Sequence, residues 1–181
     1  MEVRELALPG LLELRPKIFS DDRGYFFESY NYEQFSRLGI SEQFVQDNQS
    51  FSVKGVVRGL HLQSDPMSQG KLVRAVVGTV LDVALDIRVG SPTFGRHLAV
   101  ILDSEQQNML YIPPGFAHGF SALTDCIFQY KCTNAYSKEN EMGIHPIDKN
   151  LAINWQVPNP IISSKDEVQP LFNSFVSPFK W

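Results

Sequence analysis

Cysteine is scarce: the 181-residue chain holds two, Cys126 and Cys132. They lack metal-site or redox spacing, and one bridge between them could not staple a domain this large. A reducing, cytoplasmic setting is therefore expected. No apolar run reaches the length of a membrane span. The start, MEVRELALPG, carries acids and an early proline, without the basic and apolar stretches of a secretory signal. Positive charge is not in excess either. Sixteen Lys and Arg face twenty Asp and Glu, a net charge of −4. No global field collects nucleic acid or an anionic membrane, so neither is an expected partner, and an anionic ligand must be held by a few local cations. Repeats, low-complexity segments and interdomain linkers are also missing, so one domain over residues 1–181 is expected.

What is present is enough apolar content, 43%, to fill one core. One early helix is predicted in "NYEQFSRLG", with Asn31 as cap, Gln34 three residues on and Gly39 at the end. Most of the remainder has the rhythm of strands. "KLVRAVVGTVLDVALDIR" reads as two strands about a turn at Gly78-Thr79. After that turn Leu81, Val83, Leu85 and Ile87 alternate with Asp82, Ala84, Asp86 and Arg88. "HLAVIL", "NMLYI" and "CIFQYKCT" follow as further strands. Many short strands between Gly, Pro and Asp turns predict an all-β antiparallel sandwich or barrel. The tail from Pro158 has few regular signals and is expected to pack across the outside.

Chemistry-bearing residues stand out against that frame. "RGLHLQ", residues 58–63, follows Val56-Val57 as if entering a core, yet it places a guanidinium, a glycine and an imidazole within four residues. In a regular strand Arg58 and His61 would point to opposite faces. Gly59 between them permits a bulge that turns both toward one cavity, and such an irregularity is expected. Lys71 sits at a strand start, where a solvated end is the plain alternative to a site. Arg23, in "SDDRGYFFES", is explained either by a turn or by a cation beside aromatic rings that suits a nucleotide. Gln46 and Asn48 share one side of an extended chain, positioned to read a base edge or to terminate a strand. Of the four histidines, His97 and His145 lie beside turn signals and are expected at the surface. On their own, His61 reads equally as a core imidazole, Tyr130 as a core tyrosine facing the same way as Phe128 and Cys132, and Asp166 as a surface acid.

"PPGFAH", ending at His118, resembles the second motif of the cupin superfamily of small β-barrels. In metal-binding cupins that histidine joins a His-x-His pair and a glutamate. Here the matching stretch is His61-Leu62-Gln63, and the second histidine and the glutamate are missing. Two imidazoles are a poor set for a structural or catalytic metal, so no metal is expected.

In order, "FSDDRGYFFES", "FVQDNQSFS", "GVVRGLHLQ", "YIPPGFAHGF", "QYKCTNAYS", "ENEMGI" and "IISSKD" resemble the deoxythymidine-diphosphate (dTDP)-4-dehydrorhamnose 3,5-epimerases. The likeness runs to about Asp166. It implies a cupin-type jelly roll that needs no metal or other cofactor and forms a homodimer through exchanged edge strands. It implies epimerisation at C3 and C5 of a dTDP-4-dehydro-6-deoxy sugar, in the synthesis of dTDP-L-rhamnose for cell-surface polysaccharide. On this resemblance His61 is the general base, Asp166 the carboxylate behind it, and Tyr130 the acid on the far face. Lys71 and His118 lie near the reacting sugar. Arg23, Arg58 and Lys165 match diphosphate or substrate contacts; Glu28, Gln46 and Asn48 match nucleoside contacts. Tyr136 matches a ring stacked on thymine, and Glu141 a further substrate contact.

That chemistry has use for these residue types. A proton alpha to a ketone needs a positioned base, and a free imidazole, titrating near about 6.5, keeps a neutral fraction at neutral pH. A buried carboxylate fixes its tautomer and stabilises the imidazolium. A lysine meets the charge that develops on the enolate oxygen. A tyrosine, protonated at neutral pH, can return a proton from the opposite side. Two other classes compete: a metal-dependent cupin, and a noncatalytic sugar-nucleotide binding module with no need of the His61, Asp166 and Tyr130 set.

Overall fold

The structure, a computed structural model, describes all residues, 1–181. Its strands, in chain order, are β1 (Glu2–Glu5), β2 (Leu12–Arg15), β3 (Phe19–Asp21), β4 (Gly24–Phe26), β5 (Gln46–Ser52), β6 (Val57–Gln63) and β7 (Lys71–Val77). There follow β8 (Thr79–Asp86), β9 (His97–Asp103), β10 (Met109–Ile112), β11 (Phe116–Ala122), β12 (Cys126–Cys132) and β13 (Glu141–Gly143). Two short helices, α1 (Tyr32–Arg37) and α2 (Ser164–Glu167), complete the regular elements with a 3₁₀ turn at Phe172–Ser174. Helix α1 begins as predicted: the Asn31 side chain accepts the Gln34 N–H at 3.1 Å, satisfying one orphan donor.

Two antiparallel sheets face each other. One runs β1-β2-β10-β7-β12-β5 and the other β13-β6-β11-β8-β9, while β3 and β4 pair only with one another. This is the all-β, cupin-type jelly roll anticipated from sequence. A core of fourteen buried residues, among them Val73, Val80, Leu102, Leu110, Phe120 and Phe128, fills the space between the large sheets. A second core backs the five-stranded sheet, where Leu81, Val83, Leu85 and Ile87 meet Ile144, Leu151, Trp155 and the tail aromatics Phe172, Phe175 and Phe179. The two faces of β8 are thus both covered, and the acids Asp82 and Asp86 are fully buried. Asp86 is neutralised by Arg88 at 2.7 Å and receives the Ser91 and Thr93 hydroxyls at 2.7 and 2.6 Å.

The turn at Gly78-Thr79 is real, but β7 and β8 do not pair. Each joins a different sheet, and the turn carries the chain across the sandwich. A Cβ at Gly78 would sit 2.3 Å from the Asp125 carbonyl oxygen, so the corner admits only glycine. The tail does more than cover the outside, since α2 delivers a buried Asp166 to β6. His97 and His145, expected at the surface, are both half-buried: His97 pairs with Leu85 of β8, and the His145 N–H donates to the Pro170 carbonyl at 2.9 Å.

Strand β6 has the expected irregularity. Opposite β11, His61 pairs with His118 and Arg58 with Phe120, so three steps on one strand oppose two on the other. Gly59 has φ +127, and a Cβ there would lie 2.6 Å from the Gly119 Cα. Two glycines therefore let the strands touch where the pleat breaks.

Candidate active site

His61 and Tyr130 enter one pocket from opposite sheets, on β6 and β12. The pocket, about 300 Å³, is also lined by Gln46, Asn48, Lys71, Tyr136 and Glu141. Arg58, Lys165 and Asp166 line an adjoining cleft of about 400 Å³ that meets the pocket at His61. The break at Gly59 thus puts Arg58 and His61 on a common cleft. Arg58 is braced on β5, its Nε donating to Ser52 Oγ at 3.0 Å and its Nη2 to the Phe51 carbonyl at 3.1 Å.

His61 and Asp166 form a close pair, Nε2 to Oδ1 2.6 Å, with the imidazole one-third exposed and the carboxylate sealed. The Asp166 N–H donates to Ser163 Oγ at 3.1 Å, so the cap of α2 fixes the acid. Burial opposes its ionisation, but the hydrogen bond and charge of His61, with bonds from Ser163 and Gly59, outweigh burial and hold the carboxyl below the usual aspartate range. The acid is therefore an anion behind the imidazole.

Lys71 is buried, and its Nζ reaches the His61 carbonyl oxygen at 3.5 Å. Burial pushes its ammonium below the usual lysine range, against the pull of Cys132, Asp82 and Glu141. Burial likewise raises the Tyr130 phenol, partly offset by the Arg58 charge, so Tyr130 enters neutral pH protonated. His118 lies deeper, 8% exposed, with Nε2 2.8 Å from Asp82 Oδ2. Burial lowers its pKa, opposed by Asp82 and reinforced by Lys71 and His61.

At the pocket mouth Tyr136 is exposed. Its hydroxyl donates to Glu141 at 2.9 Å, and its N–H donates to Gln46 Oε1 at 2.8 Å. Gln46 in turn donates to Asn48 Oδ1 at 2.9 Å. Lys165 pairs with Glu141. Burial works against the Glu141 anion, yet the bonds from Lys165 and Tyr136 and the charges of Lys165 and His61 leave it below the usual glutamate range.

Eleven of the thirteen expected site residues gather around these two openings or directly behind them; Arg23 and Glu28 do not. Arg23 bonds only Asp21, at 2.6 Å, on the exposed β3–β4 hairpin, and Glu28 accepts from Asn31 at 2.9 Å. Within one chain they are away from the His61 pocket. Sequence reasoning missed Asp82, the partner of His118, and gave Gln63 no role although it lines the pocket. The signal for Asp82 was an acid inside an otherwise apolar strand. No three His, Cys, Asp or Glu side chains come together in a group that could hold a metal ion.

An imidazole backed by a buried anion on one wall, a protonated phenol on the other and a buried lysine beside them can move protons on both faces of one bound molecule. The dTDP-4-dehydrorhamnose 3,5-epimerase family model matches residues 5–174. A dTDP-4-dehydrorhamnose 3,5-epimerase of Shigella flexneri is 52% identical over 168 residues, covering 92% of this chain and 93% of that one. The crystal structure of a Legionella pneumophila dTDP-6-deoxy-D-glucose-3,5-epimerase in complex with dTDP-4-keto-L-rhamnose is 46% identical, with a TM-score of 0.93 and coverage of 97% and 94%. That of an Elizabethkingia anophelis dTDP-4-dehydrorhamnose 3,5-epimerase is 43% identical, with a TM-score of 0.91 and coverage of 96% and 97%. With residues 5–174 matched and half the positions shared with a full-length relative, the chain belongs to the dTDP-4-dehydrorhamnose 3,5-epimerase family.

Proposed function

We propose that the protein epimerises C3 and C5 of dTDP-4-dehydro-6-deoxy-D-glucose, giving dTDP-4-dehydro-L-rhamnose, in the pocket between His61 and Tyr130. The observation that carries this reading is the placement of those two residues on opposite walls of one cavity, with Asp166 behind the first. His61 takes the proton alpha to the C4 ketone. The C–H electron pair becomes the enolate double bond, and the carbonyl pair moves onto oxygen. Lys71 faces that developing charge, with His118 beside it. Tyr130 returns a proton to the opposite face, and the same enolate-stabilising group serves both centres because both flank C4.

Arg58 and Lys165 suit the diphosphate, and Gln46, Asn48, Tyr136 and Glu141 suit the nucleoside, Tyr136 through its exposed ring. The domain taking part is the whole of residues 1–181, and no metal or cofactor enters the scheme. The free, buried thiols Cys126 and Cys132 fit a cytoplasmic setting, and no helix is long and apolar enough to cross a membrane. The product feeds dTDP-L-rhamnose and cell-surface polysaccharide synthesis.

We further propose a homodimer. The β3–β4 hairpin exposes Phe19, Tyr25 and Phe26 by 55%, 61% and 69%, more than a lone barrel leaves uncovered without reason. Lodged against a second copy, the hairpin brings Arg23 and Glu28 to the partner's nucleotide pocket. Incubation with dTDP-4-dehydro-6-deoxy-D-glucose in heavy water tests the reaction. Deuterium is expected at C3 and C5 with inversion; a bound but unexchanged sugar would leave only a binding module.

A further inference from the structure

The last residue of "RGLHLQ" has no part in the proton chemistry, yet it is nearly sealed. Gln63 is 4% exposed and lies two residues beyond His61, on the same side of β6. Its amide is fully engaged with backbone. Nε2 donates to the Met67 carbonyl at 2.7 Å and to the Ala135 carbonyl at 3.1 Å, and Oε1 accepts the Ser137 N–H at 2.7 Å. Both donor hydrogens are spent, so Gln63 has none left to offer a ligand although it lines the pocket.

Those bonds fall on either side of Tyr136. The Ala135 carbonyl and Ser137 N–H go to Gln63, and the Tyr136 N–H goes to Gln46. Residues 134–137 belong to no strand, so two glutamine side chains supply the partners that a sheet ladder would otherwise give. A ring more than half exposed has little packing to hold it, and its orientation must come from its own backbone and from Glu141.

We infer that Gln63 is a positioning residue for nucleotide recognition. It ties the strand that carries the base to the loop that carries Tyr136, and so presets the distance between the nucleoside end of the site and the reacting sugar. This rests on the proposed function for what Tyr136 contacts. A preset ring lowers the ordering cost of binding and leaves the chemical step alone.

Gln63→Met keeps the length of the side chain and removes all three bonds. The Kd for dTDP and the KM for the dTDP-ketosugar should each rise by about tenfold or more, with kcat held within about threefold. The same change in a Tyr136→Ala background should cost much less, because the ring it positions is gone. Additive losses, or a fall in kcat at constant KM, would overturn the inference. So would a Gln63→Met protein that does not fold, since Gln63 would then be a structural core residue. The wild-type protein is assayed first for dTDP binding and deuterium exchange, so failure of the functional reading itself is seen before any variant is compared.

Discussion

Replacing Asp166 by asparagine keeps size and shape but removes the charge behind His61. The pair is 2.6 Å apart, with the carboxylate 4% exposed and the imidazole 33%. Before the imidazole accepts a proton, the change costs little. The cost falls on the state in which His61 has taken the substrate proton and is an imidazolium. At an effective dielectric of about 20, opposite charges about 4 Å apart attract by roughly 4 kcal/mol, or about 10³ in rate. A charge-assisted hydrogen bond alone sets a lower bound of roughly 1.5–3 kcal/mol. One-third exposure of the ring reduces the Coulomb figure by screening, so a loss of about 10²–10³ in kcat is expected, with substrate binding little changed. The Ser163 cap is made to the Asp166 N–H and survives the change, so the thermal midpoint should barely move. The assay is the initial rate of deuterium entry at saturating dTDP-ketosugar. A variant within about threefold of wild type would show that the anion is not needed to stabilise a protonated His61, and the assignment of His61 as base would fall with it.

The two walls of the pocket should separate in heavy water: His61→Asn should abolish exchange, whereas Tyr130→Phe should still admit deuterium from the His61 side while losing inversion by about 10²–10⁴-fold. If the hairpin serves a partner's site, Arg23→Ala and His61→Asn proteins, each impaired alone, should regain activity when unfolded and refolded together, because one site of each mixed dimer is whole; no rescue means Arg23 acts within its own chain or not at all. Asp86 is held at about 2, below the ordinary 3.8, because the bonds from Arg88, Thr93 and Ser91 overcome its burial. Its contribution, roughly 2 kcal/mol, is complete above the unfolded value and lost as pH falls through the folded one, so Asp86→Asn should flatten the acid limb of chemical-denaturation stability between about pH 4 and 2. Gly59→Ala would set a Cβ 2.8 Å from the His118 carbonyl oxygen at a φ of +127, and should lower stability by at least about 2 kcal/mol in the same denaturation assay; an unchanged midpoint would mean that the strand break tolerates a side chain.

The strands were legible because their apolar alternation is local, and the helix because Asn31, Gln34 and Gly39 mark its ends. What escaped was partnership at long range. "VVGTVLDVAL" reads the same whether its two strands pair or part, and only their assignment to different sheets shows that they part. Asp82 and Asp86 alternate along β8 with Leu81, Val83 and Leu85, and the alternation alone does not say where the acids lie. In the structure the polar face is the barrel interior, where His118 and Arg88 compensate the acids. Asp166 by itself looked like a surface acid in a tail without signals; its burial depends on β6 lying more than a hundred residues earlier in the chain. The gathering of His61, Tyr130 and Asp166 was therefore visible through the family pattern and not through periodicity. Arg23 and Glu28 show the limit from the other side, since the pattern names them and one chain alone does not bring them in.

The site holds two histidine–aspartate pairs of similar length, and their surroundings argue for different work. Both imidazoles face each other across the β6–β11 ladder, and both present Nε2 to a carboxylate, at 2.6 and 2.8 Å. His61 is one-third exposed on the pocket, whereas His118 is stacked near Phe128 with its ring almost sealed. Charging His118 would place a second cation beside Lys71 and His61 in a dry interior, and burial already pulls it toward the neutral form. Asp82 then has a carboxylate oxygen left without a partner and a buried ammonium in its field. In that arrangement Asp82 serves both groups: it is bonded to His118 and its charge favours the protonated form of Lys71. The inner pair thus favours a charged Lys71, where the proposed enolate would form, while only the outer pair opens an imidazole onto the pocket.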